Sequence, residues 1–212
     1  MTPQDLSLVG AGFGHQAHGS QALFRAALQA LSYPGKVIDV RHDAQVPAMG
    51  NSASAALLLA LLDSDCYLWL SPTLAANGVV SAWLRFHTGC RLVGTPEQAQ
   101  FAWCAHLTEL PVLSSLMAGS DVSPEQSCTC VIDVPGLTAA RDGEHWELSG
   151  PGIQERTALQ LEGIPDAQAS AFATQWAANH SRFPCGVDVF LTSPTAIVGL
   201  PRTTRITSTI KA

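Results

Sequence analysis

The chain has 212 residues, of which 47% are hydrophobic and only 13% are charged, against roughly 25% charged residues in ordinary soluble proteins. Its formal net charge of −6 argues against sequence-independent binding to nucleic acid, because such binding needs a basic face that releases counterions. No signal peptide is evident at the start, and the longest apolar run, residues 55–62, is much shorter than the about 20 residues that span a bilayer. We therefore expect a cytoplasmic protein without membrane or nucleic-acid partners, and the scarcity of charge indicates a surface partly buried against other subunits.

The first helix is predicted to begin at Ser20, a residue type that caps helix N-termini. Residues 1–19 are rich in glycine and are expected to be irregular, which leaves residues 20–212 as a single α/β domain. Apolar side chains then recur at helical spacing at Phe24, Ala27, Leu28 and Leu31. The turn residues Tyr33-Pro34-Gly35 are predicted to end this helix.

Helical and strand-like segments alternate through the middle of the chain. Strands are predicted over residues 36–40, 66–70, 91–93, 101–105 and 128–134. Helical segments are predicted from a cap at Asn51 or Ser52 to Leu62, over 79–89, at 95–97 and around 114–118. The strand at 66–70 is almost continuously apolar, which is typical of a sheet covered on both faces.

The last third of the chain adds hairpins and one helix. Asp142-Gly143 predicts a tight turn between strands at 137–141 and 145–148. A helix is predicted over 166–179 with Phe172 and Trp176 on one face, followed by paired strands at 187–192 and 196–200. The alternation of helices and strands predicts a three-layer α/β/α domain with a mixed sheet.

The six cysteines do not form a metal motif. Cys128 and Cys130 flank Thr129 in a predicted strand, so their side chains should point to the same face. We interpret them as small buried apolar residues, because no His or Cys partner lies nearby at ligand spacing. His15 and His18 are three residues apart in the glycine-rich segment and are interpreted as exposed loop histidines, so no metal is predicted.

One alternative function is a small NAD(P)-binding oxidoreductase. Gly10 to Gly14 resembles the start of a dinucleotide-binding loop, and Asp39 follows at the end of a predicted strand. The fingerprint is incomplete, because His15 stands where the third glycine would be needed for the helix to begin.

A third hypothesis, a pyridoxal phosphate transferase, needs a lysine for the Schiff base. The chain has only Lys36, which follows a turn, and Lys211, the penultimate residue. Neither is expected to lie in a pocket, so no cofactor is predicted.

Two short runs, residues 84–89 and 200–204, concentrate the hydrogen-bond donors that bind a phosphate or phosphonate group. They contribute the predicted ligand-binding residues Arg85, His87, Thr88, Arg202, Thr203 and Thr204. A planar guanidinium fork suits an oxyanion, and hydroxyls supply further donors. A structural alternative stays open, in which Arg85 and Arg202 pair with Asp63, Asp188 or helix-end carbonyls.

No residue is a convincing nucleophile or general base. His87 is the best candidate for proton transfer, since an unperturbed imidazole titrates near neutrality. We predict no catalytic residue and expect the isolated chain to be inactive.

Ordered motifs over nearly the whole chain resemble the PhnH family, the H subunit of the bacterial carbon–phosphorus lyase system. The most specific piece is Leu84-Arg85-Phe86-His87-Thr88-Gly89. The other matching pieces are Gly12-Phe13 with His18, Ser20 and Gln21, Phe24-Arg25, Ala30-Leu31-Ser32 with Pro34-Gly35, Leu61 to Asp65 with Trp69-Leu70, Leu148, Gly150 to Ile153, Phe183-Pro184, Gly186, Asp188, and Leu200 to Thr204. The family usually has an Asp-Pro pair after its Gly-Phe, whereas this chain has His15-Gln16.

This resemblance implies a subunit that works with the G, I and L subunits to form α-D-ribose 1-alkylphosphonate 5-triphosphate from ATP and an alkylphosphonate. The J subunit would later cleave the carbon–phosphorus bond. The resemblance also implies a fold similar to pyridoxal phosphate-dependent transferases without that cofactor, and a homodimer is a further expectation.

Overall fold

The computed structural model describes residues 10–140 and 145–208. Its α-helices are α1 (Gln16–Ser32), α2 (Ser52–Leu61), α3 (Pro72–Ala75), α4 (Gly78–Thr88) and α5 (Asp166–His180). Its strands are β1 (Ile38–Asp39), β2 (Tyr67–Leu70), β3 (Arg91–Leu92), β4 (Phe101–Cys104), β5 (Thr129–Asp133), β6 (Gly136–Ala139), β7 (Trp146–Ser149), β8 (Thr157–Glu162), β9 (Asp188–Thr192), β10 (Ala196–Leu200) and β11 (Arg205–Ser208). Short 3₁₀ turns cover Pro96–Gln98, Leu107–Glu109, Leu113–Ser115 and Pro124–Gln126.

Helix α1 begins one turn earlier than Ser20, the residue predicted to cap it. His15 is the N-cap, its ring nitrogen accepts a hydrogen bond from the His18 amide, and the two imidazoles stack at 4.0 Å. Gly19 lies inside the helix, where a Cβ would meet the Phe13 ring at 2.4 Å. The predicted boundary at residue 19 therefore falls within α1, because glycine here serves close packing against Phe13 and does not interrupt the helix.

The buried face of α1 also differs from the predicted one. Leu23, Ala27 and Ala30 face the core, whereas Phe24 and Leu28 are about half exposed. A Cβ on Gly199 of β10 would lie 2.6 Å from the Ala30 backbone, so helix and strand approach each other very closely. Only small side chains fit that contact, whereas Phe24 and Leu28 lie away from it.

Seven strands of the described chain form one mixed sheet in the order β1-β10-β9-β5-β4-β2-β3. The neighbours from β9 through β5, β4 and β2 to β3 are parallel, whereas β10 is antiparallel to both β9 and β1. The predicted mixed α/β sheet is confirmed.

Alternate side chains along each strand enter two hydrophobic clusters, one on each face of the sheet. In β4, Trp103 packs in the first cluster and Cys104 in the second, and in β9, Phe190 and Leu191 divide in the same way. The first cluster includes residues of α1, α2 and α4, and the second includes residues of α5 and a smaller sheet. Cys128 and Cys130 are fully buried in the second cluster, as predicted.

The smaller sheet has the antiparallel order β11-β7-β8-β6 among the described residues. The predicted hairpin between the strands at 137–141 and 145–148 is wrong, because β8 lies between β6 and β7. Its turn, Asp142-Gly143, lies outside the described residues. Strand β8, which the sequence analysis did not assign, has six residues and pairs on both edges, so it separates the two expected neighbours.

No helix in the described ranges is long and apolar enough to cross a membrane.

Candidate functional site

A crevice opens at the edge of the large sheet where β2, β4, β5 and β9 end. After β2 the chain forms β3 on one side of β2, and after β4 it forms β5 on the opposite side of β4. The strand order therefore reverses between β2 and β4. Open α/β sheets bind ligands at such reversals, beside the carboxyl ends of the strands. This carboxyl-end crevice encloses about 260 Å³ and is lined by Met49, Gly50, Asn51, Thr73, Ala105, His106, Asp133, Val134 and Pro135.

Asp133, the last residue of β5, is the buried carboxylate of the crevice. Its Oδ1 accepts hydrogen bonds from the Ser54 hydroxyl, from the Trp103 indole at 3.0 Å and from the Thr192 hydroxyl at 3.1 Å. Its Oδ2 accepts one bond, from the Asn51 amide at 2.7 Å. Burial raises the pKa of Asp133, and these four donors offset only part of that effect.

Asn51 joins the start of α2 to the ends of two strands. Its side-chain amide donates to the Val134 carbonyl at 3.0 Å and to the Thr192 carbonyl at 2.7 Å. The side chain therefore does not cap α2, although Asn51 occupies the N-cap position, as one of the two predicted choices. These bonds fix the helix end beside Asp133.

Glu109 fixes the other wall of the crevice. Its carboxylate accepts bonds from the Ser71 hydroxyl at 2.5 Å and from the Thr73 amide and hydroxyl at 3.1 and 2.5 Å. Burial acts to raise the pKa of Glu109, but these hydrogen bonds outweigh it and lower the pKa below its ordinary value. The segments after β2 and β4 are thus joined through one side chain.

Arg85 lies on the exposed surface of α4. Its guanidinium makes no hydrogen bond or ion pair to any other described residue, and Asp63 does not pair with it. The side chain is therefore accessible from solvent.

His87 lines a second cavity of about 260 Å³, the His87 pocket, together with Ala11, Gly12, Phe13, Gln16, Ser20, Leu59 and Phe86. Its Nε2 lies 2.7 Å from the Gly10 carbonyl, which can only accept, so Nε2 carries a proton. Gly12 has a φ of +68° and a Cβ there would lie 3.1 Å from Nδ1 of His87. The pocket therefore depends on glycine at position 12.

Thr88 has a local structural role at the end of α4. Its hydroxyl donates to the Leu84 carbonyl at 2.7 Å and accepts from the Cys90 amide at 3.1 Å. Both bonds stabilise the helix terminus, which Gly89 closes in the left-handed conformation with φ +73°.

Arg202 forms the ion pair with Asp188 that the structural alternative anticipated. Its Nε and Nη2 donate to the two carboxylate oxygens at 3.1 and 2.5 Å. Nη1 donates to the carbonyls of Pro124 and Pro184, and Nη2 also donates to the Ser127 hydroxyl. This guanidinium is engaged by the protein itself.

Thr203 is half-buried, and Thr204 is fully buried beside α5. The Thr204 carbonyl accepts a bond from the Trp176 indole at 2.8 Å, and its buried hydroxyl has no partner among the described residues. The Leu200 side chain preceding this run packs in the second cluster, whereas Leu84 packs in the first. The two predicted runs thus start from opposite faces of the sheet, and no described bond joins them.

The arrangement does not support the NAD(P) alternative. Asp39 is exposed on β1, an edge strand whose described partner, β10, is antiparallel to it. Gly12 instead forms an isolated bridge with Gln45. Residues 10–14 and β1 therefore do not build the parallel βαβ unit that the fingerprint requires.

Lys36 is exposed, with its ammonium 5.4 Å from the centre of the Tyr33 ring. It lines neither the carboxyl-end crevice nor the His87 pocket. Lys211 lies outside the described residues.

Sequence reasoning missed Asp133 and its donors. The available signal was a single carboxylate near the end of the apolar strand predicted over residues 128–134. Ser54 and Thr192 gave no signal, because each lies within an apolar segment far away in sequence.

Comparison with known proteins places these features in a family. Residues 11–207 match the family model described as bacterial phosphonate metabolism protein (PhnH). The chain is 32% identical over 206 residues to the α-D-ribose 1-methylphosphonate 5-triphosphate synthase subunit PhnH of Rhizobium meliloti (strain 1021), covering 97% of this chain and 98% of that protein. It is also 34% identical over 197 residues to the putative C-P lyase subunit protein HtxG of Stutzerimonas stutzeri, covering 90% of this chain and 87% of that protein.

Proposed function

The chain belongs to the PhnH family of bacterial phosphonate metabolism proteins, and we propose that it is a subunit of a carbon–phosphorus lyase system. In this role it takes part in forming α-D-ribose 1-alkylphosphonate 5-triphosphate from ATP and an alkylphosphonate. The observation that carries the proposal is the match to a synthase subunit over 97% of the chain. We place this ATP-consuming reaction in the cytoplasm as part of the proposal.

The partners in this proposal are the G, I and L subunits, with the J subunit acting later and a second copy of the chain completing a homodimer. Two features support a subunit role. The chain is poor in charged residues, and Phe24 and Leu28 lie exposed one turn apart on α1. Apolar side chains exposed on one helix face favour burial against another protein surface.

The ligand in this proposal is the phosphonate or a phosphate group. Of the six residues predicted to bind it, Arg85 keeps on the surface a guanidinium without a described partner and His87 lines a pocket, whereas the hydroxyl of Thr204, also without a described partner, is buried. The guanidinium of Arg85 supplies a planar pair of donors, and Nδ1 of His87 adds a further donor when the ring is protonated. Thr88, Arg202, Thr203 and Thr204 contribute by shaping the loops.

Co-expression with the G, I and L subunits of the same bacterium tests the assembly. We expect the tagged chain to elute with them as one complex in size-exclusion chromatography. A chain that elutes alone from an extract containing all three folded subunits would refute the proposal.

The proposed surface is tested by replacing Phe24 and Leu28 together with serine. Complex formation should weaken, whereas the paired control Ala22→Ser with Gln29→Ser, at exposed positions on a different face of the same helix, should assemble normally. Light scattering of the isolated 22.3 kDa chain tests the homodimer, for which a doubled mass is expected.

A further inference from the structure

The carboxyl-end crevice contains none of the six residues predicted to bind a phosphonate. It lies at the strand-order reversal of the sheet, and its walls are fixed by the Asn51 and Glu109 hydrogen bonds described above. A cavity with rigid walls at this position is suited to a small molecule.

The polar group at the base of the crevice is an acceptor. Oδ1 of Asp133 is occupied by three donors, but Oδ2 accepts only the Asn51 amide. A carboxylate oxygen has two lone pairs, so Oδ2 can accept one more bond. Asp133 and Gly50 both line the crevice, and Oδ2 lies beside Gly50, since a Cβ built there would be 3.1 Å from this oxygen.

The charge of the crevice disfavours an anion. Neither lysine nor arginine is among its described lining residues, and the carboxylate of Glu109 is bonded to the lining residue Thr73. The four partners of Asp133 are two hydroxyls, an indole and a backbone amide, and no cationic side chain is among them. A phosphonate placed here would meet negative charge without a cation to offset it.

The remaining walls suit a flat apolar ring. Met49, Val134 and Pro135 present apolar surface, and the exposed imidazole of His106 adds a polar, planar group. The cavity of about 260 Å³ is large enough for a two-ring heterocycle but small for a complete nucleotide triphosphate. Apolar walls around one acceptor match a ring that presents an N–H group.

We propose that the carboxyl-end crevice binds a flat nitrogen heterocycle of nucleobase size, which donates an N–H hydrogen bond to Oδ2 of Asp133. This site is separate from the surface of Arg85 and the His87 pocket, and it stands whether or not the chain assembles with other subunits.

Calorimetric titration of the isolated full chain with adenine tests the proposal, with methylphosphonate as competitor. We expect saturable adenine binding that methylphosphonate does not displace. Absence of adenine binding, or its displacement by methylphosphonate, would overturn the assignment.

Two variants locate the binding. Asp133→Asn exchanges the charged acceptor for an amide, and Ala105→Val adds two methyl groups to the crevice without touching the four donors of Asp133. Each variant should weaken adenine binding at least tenfold. The control is Glu97→Gln, which replaces an exposed carboxylate before β4, at the amino end of the strand, and this variant should bind adenine like the unaltered chain. If Asp133→Asn does not fold, Ala105→Val decides, and unchanged affinity in that folded variant would refute the site.

Discussion

The guanidinium of Arg202, in the loop that follows β10, binds both carboxylate oxygens of Asp188, the first residue of β9. The Arg202 and Asp188 side chains are only 11% and 23% exposed. The same guanidinium donates to the Pro124 and Pro184 carbonyls, so it joins its own loop to residues 124–127 and to residues 184–188. Its contacts are those of a residue that stabilises the fold.

Arg202→Ala should therefore lower the free energy of unfolding by about 3 kcal/mol, because Asp188 is left partly buried without its partner. Arg202→Lys should lose the bidentate geometry and recover only part of this loss. Urea denaturation of the three proteins measures the effect. An Arg202→Ala variant of normal stability that fails to support growth on methylphosphonate would instead show a role in binding.

Arg85→Ala is expected to behave in the opposite way. The side chain is exposed and has no described partner, so the free energy of unfolding should change by no more than about 0.5 kcal/mol. Growth on methylphosphonate as sole phosphorus source should nevertheless slow in a strain that depends on the variant. Arg41→Ala, at another exposed arginine without a described partner, is the control and should grow normally. Equal growth of both variants would remove Arg85 from the proposed ligand site.

Gly12→Ala should destabilise the chain and disturb His87. The left-handed φ of +68° costs a non-glycine residue about 1–2 kcal/mol, and the new Cβ would lie 3.0 Å from Cε1 of the imidazole. Thermal unfolding and the NMR signals of the His87 ring measure the two effects.

Gly78→Ala is the matched control for that substitution. A Cβ at this position has no neighbour within 4 Å, and alanine favours the helix that begins there. Stability equal to or above that of the unaltered chain is expected. A Gly12→Ala variant that is equally stable, with unshifted His87 signals, would contradict the described contact.

Glu109 should contribute to stability in a pH-dependent way. Because its folded pKa is lower than its ordinary value of 4.5, the contribution is complete above that value and is lost as the pH falls through the folded pKa. Glu109→Gln should therefore weaken the decline of unfolding free energy below pH 4.5, as measured by denaturation at several pH values. Glu97→Gln, at a residue without a described partner, should keep the original acid dependence. Identical acid profiles for all three proteins would refute the role of the Ser71 and Thr73 bonds.

Local patterns were sufficient for most elements of the large sheet. The breaker Pro34-Gly35 and the apolar strands at 101–105 and 128–134 each depend on residues close together in the chain, so the sequence indicates them directly. The smaller sheet was predicted less well. Strand β8 competes with β7 for the edge of β6, and such a choice between pairing partners depends on residues far apart in the chain.

The amino-acid order by itself determined the α/β class, the family and the two donor-rich runs, because hydrophobic periodicity and ordered motifs are local properties. The tertiary structure decided which donors stay free. It placed Arg202 against Asp188, left Arg85 on the surface, and brought Ser54, Trp103 and Thr192 around Asp133 from segments up to 138 residues apart. Contacts between distant segments arise only when the sheet assembles, since strand order and the close approach of α1 to β10 fix which side chains meet.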